Sequence, residues 1–204
     1  MKKTITTLLL LSCITAFSFA QSIVMTSGTI DFIKDQQVIQ FTFSYDEMLV
    51  GKLTENEYVD KKSSEYNAKE EGKGDQWKAA WYGDRKERFE PKFLELFDKY
   101  MSEVGITAGT EGAQYRIGIN TDFTEPGWNV GVMRQNASVD LSCKVKKIET
   151  GEQVASIRIR NASANNFWGT DFTSGYRVQE TYAKAGRELA KFFIKKAKLR
   201  KIKD

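Results

Sequence analysis

Residues 114–171 read QYRIGINTDFTEPGWNVGVMRQNASVDLSCKVKKIETGEQVASIRIRNASANNFWGTD, and their reading decides the fold. Three segments alternate with a period of two, the mark of a strand that buries one face. In the first, QYRIGINTDF, Tyr115, Ile117, Ile119 and Phe123 share one face, and Gln114, Arg116, Asn120 and Asp122 the other. ASVDLSCKV and ASIRIRN follow, joined by Glu149-Thr150-Gly151-Glu152 as a tight turn. Such half-polar strands belong to an antiparallel sheet covered on one side. Two loops frame them, TEPGWNVGVMRQN and ASANNFWGTDFTSG, each with one tryptophan.

Toward the N-terminus, Gly28 to Lys34 reads as a strand, Asp35-Gln36-Gln37 as a turn, and Val38 to Tyr45 alternates again, predicting a hairpin. Residues 46–103 are helical in pattern. Thr54 with Glu57 is a capping box that opens a helix running to about Ala68. Gly72 to Gly74 breaks it, and Asp75 can cap the next. Trp77, Trp81, Phe89, Phe93, Leu96, Tyr100 and Val104 then recur at helical spacing, with Gly83 and Pro91 marking a kink or a division. Thr173 or Ser174 opens a final helix with the stripe Val178, Tyr182, Ala185, Leu189, Phe192 and Phe193. The order ββαβββα predicts an α/β (α+β) fold, a two-layer sandwich whose antiparallel sheet of about five strands carries helices on one face.

The first twenty residues stand apart. Lys2 and Lys3, the apolar run Ile5 to Ile14 and the small residues around Ser18-Phe19-Ala20 form a secretory signal peptide over 1–20, cleaved after Ala20. The rival reading takes Leu10-Leu11-Ser12-Cys13 as a lipobox, with Cys13 lipidated. Residues 21–204 form one α/β domain with a helical insertion around 46–84 and a basic C-terminal helix end, Lys195 to Asp204.

Composition narrows the chemistry. The chain has no histidine, which excludes Ser-His-Asp and Cys-His nucleophile systems and the commonest zinc sites. Without Lys2 and Lys3 the formal charge of +4 is nearly balanced, so nucleic acid is not an expected partner. No cofactor is expected. Cys143 lies in register with Val139, Leu141 and Val145 and reads as a small buried hydrophobe.

In an antiparallel meander the two tryptophan loops leave from one end of the sheet, and the segment Asp46 to Thr54 joins them. The candidate partner-binding residues there are Trp128, Asn129, Arg134, Asn165, Asn166, Trp168 and Asp171. Aromatics among amides and charges suit a sugar, a peptide or a protein. The bland alternative is that both tryptophans fold back as lids over the core. The carboxylates worth testing for acid–base work are Asp122, Glu125 and Asp171. Two further surfaces compete: the basic tail for an anionic membrane, and the polar sheet face for a second copy of the chain. That face carries Arg116, Asp122, Asp140, Lys144, Arg158 and Arg160.

The element order, with its QYRIGI strand, TGEQVASIRI hairpin and terminal YAKAGRELAKFF helix, resembles a group of bacterial envelope domains. They include the periplasmic domain of the curli secretion channel and the N-terminal domain of the Tol-Pal translocation protein. It also looks like uncharacterised secreted proteins of Bacteroidetes. The resemblance covers roughly residues 28–194 and brings no catalytic motif. It implies a periplasmic or secreted, non-catalytic binding or assembly domain of the cell envelope, taking a protein or glycan partner at the tryptophan end. A self-associating structural protein and a carboxylate-dependent hydrolase are the alternatives.

Overall fold

The structure is a computed structural model that describes residues 21–130, 133–163 and 173–202. The predicted signal peptide, Cys13, Asn165, Asn166, Trp168 and Asp171 lie outside the described residues.

The three central strands form as expected: β6 (Tyr115–Glu125), β9 (Ser138–Lys147) and β10 (Gln153–Ser163), antiparallel neighbours in an eight-stranded sheet. The flanking strands differ from the expected hairpin. β1 (Ser22–Gly28) lies beside β10 at one edge, antiparallel. β2 (Val38–Ser44) pairs with the opposite side of the meander and runs parallel to β6, and the short β5 (Thr107–Ala108) runs parallel to β2 beyond it. The sheet is therefore mixed. Between β1 and β2, Asp31–Ile33 is a 3₁₀ turn that buries the adjacent pair Phe32 and Ile33. Two consecutive inward side chains suit a turn and cannot share one face of a strand.

The parallel pairing follows from the helices. A chain that must return to the same end of the sheet needs a long crossover, and residues 55–101 supply it. α1 (Glu55–Asn67) starts at the Thr54–Glu57 capping box, with both arms formed. α2 (Lys73–Asp84) continues through a π-helical stretch, Arg85–Phe89, into α3 (Glu90–Met101). Pro91 explains the widened turn: it has no N–H to give and its ring crowds the preceding turn. The buried seam of α3 is Phe89, Phe93, Phe97 and Met101; Leu96, Tyr100 and Val104, expected there, do not belong to its fully buried side chains. Phe97 packs edge-on to Phe41 at 4.8 Å.

α4 (Ser174–Ala197) lies against α3 and the sheet and buries Val178, Tyr182, Ala185, Leu189 and Phe193. The two helices touch at Gly186, where a Cβ would stand 2.1 Å from the Phe93 carbonyl oxygen. The Tyr182 ring stacks on Phe89 at 5.1 Å, and its hydroxyl is 2.5 Å from Thr121 Oγ1, so the deepest polar atom of the core is satisfied. Cys143 is buried in this core, as expected. The sheet with helices on one face is the two-layer α+β sandwich that the sequence implied.

Two bulges shift the alternation at the tryptophan end. Thr121 faces Leu141 and Phe123 faces Asp140, so Asp122 is the extra residue of β6. Past it the phase reverses: Thr124 is buried where Phe123 was expected. In β10 the extra residue lies between Ile159 and Ala162; there Asn161 takes a positive φ of 51° and gives its N–H to Asp140 at 2.7 Å.

The basic tail folds back on the main chain. Lys201 pairs with Glu103 at 2.6 Å, and the Ile202 amide donates to the Glu103 carbonyl at 2.9 Å. Among the described residues no helix is long and apolar enough to cross a membrane.

Candidate binding cleft

The end of the sheet holding Glu125, Ser138 and Ser163 also receives the short hairpin β3 (Leu49–Val50) and β4 (Leu53–Thr54) beside β6. α1 and α2 pack over this hairpin around a second apolar cluster, Met48, Val50, Val59 and Trp81. Tyr45 packs against this cluster and against the main core, so it joins the two. Arg85 fixes the junction. It ion-pairs with Glu55, which also accepts the Trp81 indole N–H at 2.6 Å, and its guanidinium lies 4.0 Å from the Tyr45 ring centre. Glu55 is the first residue of α1, where a carboxylate also complements the helix dipole.

Opposite this cluster stands the Trp128 turn. Pro126-Gly127 reverses the chain, with Gly127 at φ +63°, where a Cβ would meet Gln135 O at 2.4 Å. Arg177 of α4 holds the turn through its Nε to Pro126 O at 2.9 Å and its Nη2 to Gly127 O at 3.0 Å. Trp128 and Asn129 form β7 (Trp128–Asn129), paired with β8 (Arg134–Gln135). The Trp128 indole N–H donates to Gln135 Oε1 at 3.0 Å, and the side chain is 40 % exposed. It is not a lid over the core.

Between the two walls lies an open cleft of about 460 Å³. Tyr58, Tyr66 and Trp77, from α1 and α2, line it together with Trp128 and with Tyr176 of α4. The first wall is a chain of rings: Tyr66 to Trp77 at 5.8 Å, Trp77 to Trp81 at 5.5 Å, Tyr58 to Trp81 at 5.2 Å. Burial pushes the Tyr58 phenol up to about 12, so it stays a neutral donor at any physiological pH.

The charged groups in the cleft are largely matched. Arg88 pairs with Asp84 at 2.6 Å and covers the Tyr176 ring at 4.4 Å. Lys62 pairs with Glu65 at 3.0 Å. Asp84 packs so closely on α4 that a Cβ on Gly175 would lie 2.1 Å from its Oδ2. Burial there lifts the Asp84 carboxyl above its ordinary value, with Arg88 opposing the shift. The opening of α4 therefore already faces a carboxylate. What remains on offer is a set of aromatic faces with phenol and hydroxyl groups among them, from Tyr58, Tyr66, Thr173 and Ser174.

Of the predicted site residues, Trp128 lines this cleft, and Asn129 and Arg134 sit opposite each other in the hairpin behind it. The sequence reading assigned Trp77 to a helical stripe and did not single out Tyr58, Tyr66 or Tyr176. A signal existed: α1, ENEYVDKKSSEYN, is polar except for Val59 and its two tyrosines, and a surface helix rarely spends large rings on solvent. Of the three carboxylates proposed for acid–base work, Asp171 lies outside the described residues, and Asp122 and Glu125 serve the sheet and the backbone. Asp122 accepts from Asn120 Nδ2 at 3.0 Å and from Ser142 Oγ, and Glu125 accepts the Gly127 amide at 3.0 Å. Among the described residues no group of histidine, cysteine, aspartate and glutamate could hold a metal ion.

No protein-family model matches the chain, and no curated protein does. Among solved structures, PelC from Paraburkholderia phytofirmans, crystallised as a dodecamer, is similar at a TM-score of 0.37 and 9 % identity, over 80 % of this chain and 97 % of that one. A Helicobacter pylori protein described as a homologue of neuraminyllactose-binding hemagglutinin aligns at 0.38 and 9 % identity, over 81 % of this chain and 89 % of its own. At this depth of likeness no function passes from either protein to this chain.

Proposed function

We propose that the chain is a non-catalytic, secreted or periplasmic domain of the cell envelope that binds a glycan in the aromatic cleft. The observation that carries this reading is the gathering of five rings around one cleft, Tyr58, Tyr66 and Trp77 from α1 and α2 with Trp128 and Tyr176 from the Trp128 turn and α4. Sugar rings present apolar C–H faces and equatorial hydroxyls, which suit stacking on an indole or phenol with donors at the rim. The matched ion pairs of the cleft favour a neutral sugar over a charged one. The envelope setting rests on the predicted signal peptide and on the resemblance of the element order to envelope domains. The absence of histidine, with Asp122 and Glu125 engaged in structural hydrogen bonds, supports a binding role over hydrolysis.

Trp128→Ala is the clean test, because this side chain is partly exposed and outside both apolar clusters. Titration of the secreted chain with neutral oligosaccharides of glucose and of N-acetylglucosamine, followed by calorimetry, should show binding weakened roughly tenfold or more in the variant. Its melting temperature should stay unchanged. Equal affinity in both proteins, or no binding by the parent chain, refutes the reading.

A second reading has one observation behind it. The hairpin beyond Trp128 exposes Val130 and Met133, at 64 % and 62 %, which fits a protein partner at the same end. A Val130→Asp, Met133→Asp double variant that loses a crosslinked envelope partner while keeping sugar binding would separate the two.

A further inference from the structure

The outer face of the sheet, which no helix covers, carries Arg116, Lys144, Lys146, Arg158 and Arg160, all exposed. None of the five makes an ion pair among the described residues. The register makes this unfavourable for folding. Arg116 stands directly opposite Lys146 on the neighbouring strand, and Lys144 lies one pleat along the same face from both. Like charges directly opposite in an antiparallel pair destabilise the sheet. The carboxylates that share the face relieve little of this. Asp140 accepts the Asn161 amide at 2.7 Å, and Asp122 accepts from Asn120 and Ser142. Hydrogen bonds do not remove a carboxylate's charge, but both stand toward the Glu125 end of the strands, past Lys144, and neither forms an ion pair with one of the five. Arg116 turns its Nε to Gln40 Oε1 at 2.7 Å, across the sheet from Lys146. A local rule broken with no compensation inside the fold marks a surface kept for something outside it.

The same face is hollowed. Gly118, without a side chain, sits beside Lys144 in register, and a groove of about 480 Å³ runs over it. Arg116, Lys144 and Lys146 line one end of it, and Asp46, Glu47 and Asp122 line the end at Asn120 and Ser142; Thr42 adds a hydroxyl, while those of Ser44 and Ser142 donate to Asn120 and Asp122. No apolar side chain lines it, and this selects the occupant. A protein partner needs an apolar or aromatic anchor at the centre of the contact. A bilayer needs apolar side chains to enter it, and single-stranded nucleic acid needs rings to stack on. A hydrated, extended polyanion needs only cations and hydroxyl partners.

We infer that this groove is a second binding site, for a linear acidic polysaccharide whose carboxylates meet Arg116, Lys144 and Lys146. It goes beyond the aromatic cleft and does not rest on it.

The probe is polygalacturonate, measured by calorimetry or biolayer interferometry at low and high salt. The parent chain should bind it, and the affinity should fall roughly tenfold or more as salt rises, by release of counterions from the polymer. Arg116→Gln, Lys144→Gln, Lys146→Gln together should abolish at least roughly nine-tenths of that affinity. The variant should also melt no lower than the parent, because the mutual repulsion is gone. Trp128→Ala should bind polygalacturonate as the parent does, which separates this site from the cleft. Unchanged binding by the triple variant overturns the assignment. So does equal binding of the parent to dextran, or to phosphatidylglycerol vesicles, which would mean general adhesion or a membrane-facing sheet.

Discussion

Gly186→Ala separates packing from helix propensity. In isolation the change favours a helix by about 1 kcal/mol. At this crossing the new Cβ would meet the Phe93 carbonyl oxygen at 2.1 Å and its carbon at 2.9 Å. Both are backbone atoms of α3, so no rotamer relieves the contact and the helices must move apart. Phe93 is fully buried, with rings of Phe41 and Phe43 at 5.8 and 5.5 Å that would lose registry. Overpacking of this kind costs about 3 kcal/mol at the upper end of the usual range. The net expectation is a loss of roughly 2 kcal/mol, or a melting point lower by about 4–8 °C for a domain of this size. Gly83→Ala is the control: its nearest neighbour is the mobile Glu87 carboxylate at 3.5 Å, so the propensity gain should appear unopposed. Urea titrations of both variants, read by far-UV circular dichroism, give the two signs. Equal stabilisation by both would refute the close α3–α4 contact.

Thr54→Ala removes the side-chain arm of the capping box, leaving the backbone amide of residue 54 on Glu57, and should cost about 1 kcal/mol in urea titration. Tyr182→Phe leaves the buried Thr121 hydroxyl without its partner and should cost about 1–3 kcal/mol, with the fold retained in the near-UV spectrum. Burial pushes the Cys143 thiol up to about 12, so the native chain should resist alkylation at pH 8.5 and react once unfolded. The linked stability has a definite sign. The unfolded thiol ionises near pH 8.5 while the folded one keeps its proton, so this contribution is intact below that pH. It falls by about 1.4 kcal/mol per pH unit from there toward 12. Cys143→Ala should flatten that slope.

The central strands, the 150–151 turn, the capping box and the α4 stripe were all legible, because each rests on a local rule. The sheet's mixed character was not. Nothing in the alternation of Val38 to Tyr45 tells whether its neighbour is Gly28 to Lys34 or β6; the 47-residue helical crossover decides it, through geometry that a strand pattern does not carry. The bulges at Asp122 and Asn161 escaped notice because a bulge is a break in the period used to find the strand. Phe97 was passed over for Leu96 because positions three and four residues after Phe93 both suit a helical stripe, and only packing selects the i, i+4 row Phe93, Phe97 and Met101. For the site, topology alone brought the Trp128 loop and the segment Asp46 to Thr54 to one end of the sheet, where the structure also has Trp128 and the Leu49–Thr54 hairpin. Its aromatic wall was hidden by Trp77 and Trp81 sitting at a spacing that serves a core equally well. Trp168 and its loop lie outside the described residues, so the far side of that surface rests on the sequence reading.

Tyr58 and Trp77 of the cleft pack on the smaller apolar cluster, whereas Tyr176 stands on α4, whose inner face lies in the main core, and Tyr45 packs on both clusters. A molecule touching both groups of rings is in effect a removable staple between two parts of the chain that otherwise meet through few side chains. Any such ligand, whatever its identity, must raise the midpoint of thermal unfolding. At one hundred times its dissociation constant the gain is about 2.7 kcal/mol, roughly 5–11 °C for a chain of this length. Heat alone can therefore screen a library of envelope sugars, without a label or an activity, and the Trp128→Ala protein serves as the blank.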